Sequence, residues 1–209
     1  MHTLGRLLFG DLPRSGSVTL GGQRLRPNNP GDAIAKGMGL LTENRKLDGL
    51  LLPLGVKENI TLAALQKFAT LTLINNRAEA EAAGDYVQKL AIKTPNLRQR
   101  IRYLSGGNQQ KALIGRWMLQ DLRVLILSEP TRGIDVGSKS EIYRLIDELA
   151  HQGMAVLVLS TEIPEVLGIA DRVLVVREGQ ITAEYPRAEA TQEKLIAAAA
   201  VAAPAQGGA

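Results

Sequence analysis

Two stretches, "RVLILS" (residues 123–128) and "MAVLVLS" (154–160), are continuous apolar runs of strand length, each ending in a serine. Strands read this way when helices cover both faces of the sheet they belong to. Between them Ile142, Leu145, Ile146 and Leu149 recur at i, i+3, i+4 and i+7, the stripe of a helix with one buried face, and Gly153 closes it. Ser138 followed three residues later by Glu141 fits a capping box at its start. Strands separated by helices in this way predict a parallel α/β sheet with right-handed crossovers.

The flanking segments extend the pattern. Leu4 to Phe9 is helix-compatible and ends at Gly10, "SVTLGGQRL" reads as a hairpin turning at Gly21 and Gly22, and "MGLLT" (38–42) as a short buried strand before the polar loop "ENRKLDG". From about Val56 to Lys93 the periodicity is helical. Past the second strand, "EIPEVLGIA" predicts a short helix and "DRVLVVREGQITAEY" a hairpin turning at Glu178 and Gly179. The last residues, "AAAAVAAPAQGGA", are low in complexity and are expected to fray.

Composition excludes several classes of function. The chain has 209 residues, enough for one well-buried core, and no cysteine, so there is no disulfide framework and no thiolate metal site. Its two histidines, His2 and His151, are far apart, which leaves no histidine-rich metal site and means that any metal would arrive with a ligand. Aromatics make up 3%, too few for a nucleic-acid stacking platform, and the net charge of +4 is spread along the chain. The cluster Arg98, Arg100 and Arg102 reads as a solvated connector, and no nucleic-acid partner is expected. No apolar run approaches the roughly 18 residues of a membrane span, and the start is a poor signal peptide.

The chemistry concentrates in "LSGGNQQK" (104–111) and "EPTRGID" (129–135). Ser105 is suited to cap a helix that opens beside two glycines, and such a terminus offers oriented amides and a helix dipole to phosphate. Glu129 places a carboxylate at the end of the first apolar strand, and Asp135 sits where an acid stabilises the start of the next helix.

"LSGGNQQK", then an apolar strand ending "LILSEP", then "TRGID", then a strand ending "VLSTE", closely resembles the ATPase domain of ABC transporters. "NQQK" and "EPTRGIDVG" are similar to the second nucleotide-binding domain of monosaccharide importers, and the likeness covers essentially the whole chain. The resemblance implies a P-loop NTPase-like fold over residues 1–195, a helical subdomain at about 56–105 ending on the signature loop, and a tail at 196–209. It also implies ATP and Mg²⁺ as cofactors and two kinds of partner: permease subunits in the membrane, and a second ATPase domain that completes the dimer. The expected place is the cytoplasm, at the inner face of the cell membrane.

The same resemblance assigns residues. Ser105, Gly106 and Gly107 match the signature loop that meets the γ-phosphate of ATP held on the opposite domain, and Gln109 extends that region. Glu129 matches the carboxylate that polarises the attacking water, and Asp135 the loop that couples the two ATP sites. Glu43 stands where the wider family has the glutamine of its γ-phosphate-sensing loop, a loop that also touches the membrane subunit.

Three departures are visible. Ser128 replaces the aspartate that supports Mg²⁺, so metal binding is expected to weaken. Thr161 replaces the histidine that reads the γ-phosphate, as second domains of sugar importers often do. Met1 stands about where the basic residue of the phosphate-binding loop belongs, with His2 at the hydroxyl position. The resemblance therefore implies a cassette truncated at its N-terminus, lacking that loop, the strand before it and the adenine-stacking aromatic, binding ATP poorly by itself and exposing apolar surface.

Two functional readings follow: an ATPase subunit of sugar import, or a non-catalytic half-site that lends its signature loop to another chain's ATP. A third, a nucleic-acid-associated ABC protein, would need a long coiled-coil insertion between Glu43 and Leu104 or a basic linker between paired domains, and the sequence has neither.

Overall fold

The computed structural model describes residues 2–70 and 73–200, which divide into two compact units, one ending at Leu159 and one beginning at Ser160. The expectations placed on Met1, on the side chain of His2 and on the tail past Ala200 lie outside the described residues.

The first unit is built on a parallel sheet. Strands β3 (Met38–Leu41), β6 (Val124–Ser128) and β7 (Ala155–Leu159) lie in the order β3-β6-β7, with Leu40 opposite Ile126 and Ile126 opposite Leu157. The α/β class expected from the sequence is what the chain forms. β6 is central, and its Leu125, Ile126 and Leu127 are each no more than 1% exposed, which explains why its sequence is an unbroken apolar run. Among the described residues β7 is paired on one side only within this sheet, and its Ala155 is exposed.

Helix α1 (His2–Phe9) ends where Gly10 turns with φ 84° and packs against β3 and β6. Phe9, Leu25, Met38, Leu40, Ile126 and Leu159 form one core cluster, with Trp117 edge-on to Phe9 at 6.0 Å. The hairpin of β1 (Thr19–Leu20) and β2 (Gln23–Arg24) turns at Gly21 and Gly22, both at positive φ, as the glycine pair predicts. Helix α2 (Pro30–Ala35) follows, capped by the Asn29 side chain.

The long helical segment is broken more than its periodicity suggests. It comprises α3 (Val56–Thr61), a tighter 3₁₀ stretch (Leu62–Phe68), a small hairpin of β4 (Ala69–Thr70) and β5 (Leu73–Ile74), and α4 (Asn76–Lys89). This replaces the expectation of helix throughout 56–93: "FATLTLIN" is rich in β-branched residues and alternates, so local strand preference wins. α3 and α4 pack around α5 (Gly106–Met118), burying Val56, Ile60, Ala83, Leu90, Leu113 and Ile114.

The helix between β6 and β7, α6 (Val136–His151), buries Ile142, Leu145, Ile146 and Leu149, as its periodicity predicts. Its start differs from the expected capping box at Ser138 and Glu141. Asp135 is the cap, accepting from the Ser138 amide at 2.9 Å, and Glu141 is turned to Lys111 at 2.8 Å. A carboxylate is as good a cap as a hydroxyl, and the one reached first along the chain takes the free amides.

In the second unit, α7 (Ile163–Ile169) precedes a hairpin of β8 (Arg172–Arg177) and β9 (Gln180–Pro186) that turns at Glu178 and Gly179, with φ 49° and 80°. Helix α8 (Gln192–Ala200) follows, and Val173, Ala190 and Leu195 form this unit's own core with Ile163, Val166 and Tyr185.

Candidate functional site

Three loops of the first unit meet. One is 42–50, following β3; the second is 104–107, opening α5; the third is 129–135, between β6 and α6.

Ser105 caps α5 as its sequence position predicts: its Oγ accepts from the Asn108 amide at 3.4 Å and from Asn108 Nδ2 at 2.8 Å. Gly106 and Gly107 form the first turn, and both are glycine for a steric reason. A Cβ on Gly107 would stand 2.7 Å from Ser138 Cβ on α6, and one on Gly106 would stand 3.0 Å from the Gly133 carbonyl oxygen. The bare backbone lets the start of α5 seat directly on the 129–135 loop.

Gln109 faces inward, one turn further along α5. It is 3% exposed, its Nε2 donates to the Ile101 carbonyl at 3.1 Å, and its Oε1 accepts from Arg45 Nε at 3.2 Å. Both ends of its amide are thus engaged within the chain.

Ser128 ends β6 and is buried, and Gly5 of α1 comes so near that an added Cβ would lie 2.9 Å from Ser128 Oγ. Glu129 follows in the left-handed region, at φ 49°, with its amide donating to Leu159 O at 2.8 Å. That backbone costs an ordinary residue about 1–2 kcal/mol and swings the side chain out of the strand's alternation.

Glu43 pairs with Arg132, and Asp135 caps α6 from an exposed position. The Ser138 amide and hydroxyl hold the Asp135 carboxyl below the usual carboxylate range. Thr161 belongs to the second unit and is exposed; beside it Ser160 Oγ accepts from the Glu162 amide at 3.0 Å and donates to the buried Glu165.

Two arginines were not singled out by the motifs. Arg45 and Arg132, together with Glu43, Asn44 and Lys46, line a groove between loops 42–50 and 129–135. Their only sequence signal is charge inside polar loops, which is ordinary for solvent-exposed arginines.

For a nucleotide, the capped α5 start presents hydroxyl and amide groups of the right chemistry for a phosphate oxygen. For a divalent cation the residues do not fit. The strand-end group is a neutral serine, and among the described residues no three His, Cys, Asp or Glu side chains gather closely enough to hold a metal ion.

Likeness to known proteins agrees with this architecture. The chain is 48% identical over 183 residues to the xylose import ATP-binding protein of Thermoanaerobacter pseudethanolicus, covering 88% of this chain and 36% of that one. It is 49% identical over 195 residues to the ribose import ATP-binding protein of Rubrobacter xylanophilus, covering 92% and 39%. With the arabinose import ATP-binding protein of Burkholderia cenocepacia it shares 48% over 196 residues, covering 92% and 39%. The chain thus spans less than two-fifths of the length of these curated relatives. A nucleotide-free ATP-binding cassette from an ABC transporter superposes with a TM-score of 0.75 at 22% identity, over 88% of this chain and 75% of that one. A dimeric bacterial ABC transporter cassette does so with 0.71 at 18%, over 88% and 79%. These two show the fold alone. The profile of the ABC transporter family matches residues 2–132, which takes in β3, the Ser105 loop, β6 and Glu129, and with it the chain is shown to belong to the ABC transporter family.

Proposed function

We propose that the chain is the ATPase cassette of an importer for a monosaccharide or similar solute, corresponding to the second nucleotide-binding domain of such systems. The observation that carries this reading is the seating of the Ser105-capped α5 start on the loop that follows Glu129, in a chain close to half identical to several sugar-import ATP-binding proteins.

In this reading ATP supplies the phosphoryl group whose hydrolysis drives transport. The Ser105 hydroxyl and the amides of Gly106 and Gly107 receive the γ-phosphate of a nucleotide held by a second cassette, and the α5 dipole favours its charge. Glu129 orients the attacking water, the positioning role that phosphoryl transfer asks of a protein carboxylate. Asp135 keeps its loop in register with the second cassette by capping α6. Glu43, at Q-loop position, senses nucleotide and passes its state to permease subunits, which hold the cassette at the inner face of the membrane. Thr161, at the switch position, contributes a hydroxyl but no titrating group. Among the described residues no helix is long and apolar enough to cross a membrane, which is compatible with peripheral attachment.

Ser128 supports a second reading. With a neutral, buried hydroxyl where Mg²⁺ wants a carboxylate, the chain's own site is weak, and its contribution is the signature loop lent to a partner's ATP. Mixing separates the possibilities. A cassette with an intact phosphate-binding loop is assayed for ATP hydrolysis alone, with this chain, and with its Ser105→Ala variant. Stimulation that the variant loses by tenfold or more supports a working signature loop; a mixture no faster than the partner alone sinks both functional readings. If Glu129→Gln abolishes the stimulated rate, the chain hydrolyses as well as assists.

A further inference from the structure

Arg45 opens the one-turn helix Arg45–Gly49 after β3, and its guanidinium is divided between two other parts of the chain. Nε donates to Gln109 Oε1 at 3.2 Å, Nη1 to the Arg132 carbonyl at 2.6 Å and Nη2 to the Gly133 carbonyl at 2.9 Å. No carboxylate is among these acceptors; the arginine acts as a planar fork of donors, a geometry that a lysine does not reproduce. Gln109 in turn is anchored on the Ile101 carbonyl at 3.1 Å, so the contact reaches the segment that leads into Ser105. Gly106 makes room for the arrangement, since a Cβ there would stand 2.7 Å from Arg45 Nη2. Two residues before Arg45, Glu43 pairs with Arg132, giving the 42–50 loop a second hold on the same stretch. Partial burial lowers the pKa of Arg45 below the usual arginine value, yet an arginine stays charged through the physiological range.

We propose that Arg45 is a positioning residue that clamps loop 104–107 to loop 129–135, so that the stretch suited to a partner's phosphate and the stretch bearing Glu129 and Asp135 move as one piece with loop 42–50. The clamp stands on the geometry alone; its bearing on hydrolysis rests on the ATPase reading above.

Amide hydrogen exchange on the purified full chain tests it without nucleotide. Arg45→Ala is expected to speed exchange at residues 105–109 and 132–135 together, by about tenfold, the effect of losing a set of charge-assisted bonds, with β6 amides unchanged. Arg45→Lys should recover little of this, and Gln109→Met, which cuts one arm, should speed 105–109 while sparing 132–135. Faster exchange confined to loop 42–50, faster exchange spreading equally into β6, or no change at all would each overturn the clamp. The same variants in the mixing assay keep the two ideas apart. Coupled exchange in a chain whose mixture never depends on Ser105 leaves the clamp and removes the ATPase reading. Ser105-dependent hydrolysis with uncoupled exchange does the reverse.

Discussion

At the scale of single residues, the candidate site is a set of steric and backbone choices as much as a set of functional groups. Glu129 holds a left-handed backbone that glycine would adopt freely, so Glu129→Gly is expected to raise stability by about 0.5–1 kcal/mol in urea unfolding while removing the carboxylate. Glu178→Gly, at the same φ of 49° in a hairpin turn, is the control and should gain similarly. Gly107→Ala is expected to cost about 1–3 kcal/mol, because its Cβ would meet Ser138. Ser138→Gly should reduce that cost in a double-mutant cycle; an additive result would place the strain elsewhere. Arg116 is 8% exposed and donates to the Asn59 carbonyl at 2.7 Å and the Gly49 carbonyl at 2.6 Å, and burial pulls its pKa down to about 10. Arg116→Leu leaves those acceptors without their donor and should cost about 3 kcal/mol by the same urea measurement. Ser105, Gly106 and Gly107 were legible in the sequence because capping and close approach permit few residue types. Arg45 and Arg116 were not, since what makes them matter is which distant carbonyls the fold brings to them, at separations of up to 88 residues for Arg45.

At the scale of elements, α6 shows how chemistry at a helix start becomes a pH dependence. The Asp135 carboxyl is held below its ordinary value of 3.8, first by the Ser138 amide, and Glu141 below 4.5, first by its bond to the Lys111 ammonium. Both are depressed in the folded state, so their stabilisation is present above those ordinary values and is lost as pH falls through the lower folded ones. Unfolding midpoints measured from pH 7 down to 3 should therefore decline below about 4.5, and Glu141→Gln should remove part of the slope along with some stability at pH 7. A pH-independent midpoint for the wild type would contradict the linkage. β6 and α6 were readable because burial on both faces, or on one stripe, leaves a strong pattern. The small hairpin of β4 and β5 was hidden because strands of two residues each are outweighed by the helical periodicity on both sides of them. Helix α2 carries its own local signals, Asn29 as cap and Pro30 at the first turn.

At the scale of the whole molecule, the α/β class and family were legible end to end because ordered motifs constrain one another. The division at Ser160 was not, since the change there from the apolar "VLVL" to the polar "STE" is what any strand end shows. The one-sided pairing of β7 also bears on how the protein behaves at the bench. Its outer row of amides and carbonyls belongs to the segment "AVLVL", which carries no charge and no proline to discourage another chain from adding to it. Solubility should accordingly be limited by concentration rather than by net charge. Sedimentation velocity at rising protein concentration is expected to show growing association that Val156→Lys suppresses, and a wild-type chain that stays monomeric at all concentrations would show that edge to be shielded. A cassette handled as an isolated chain would then be only as tractable as its most sociable strand.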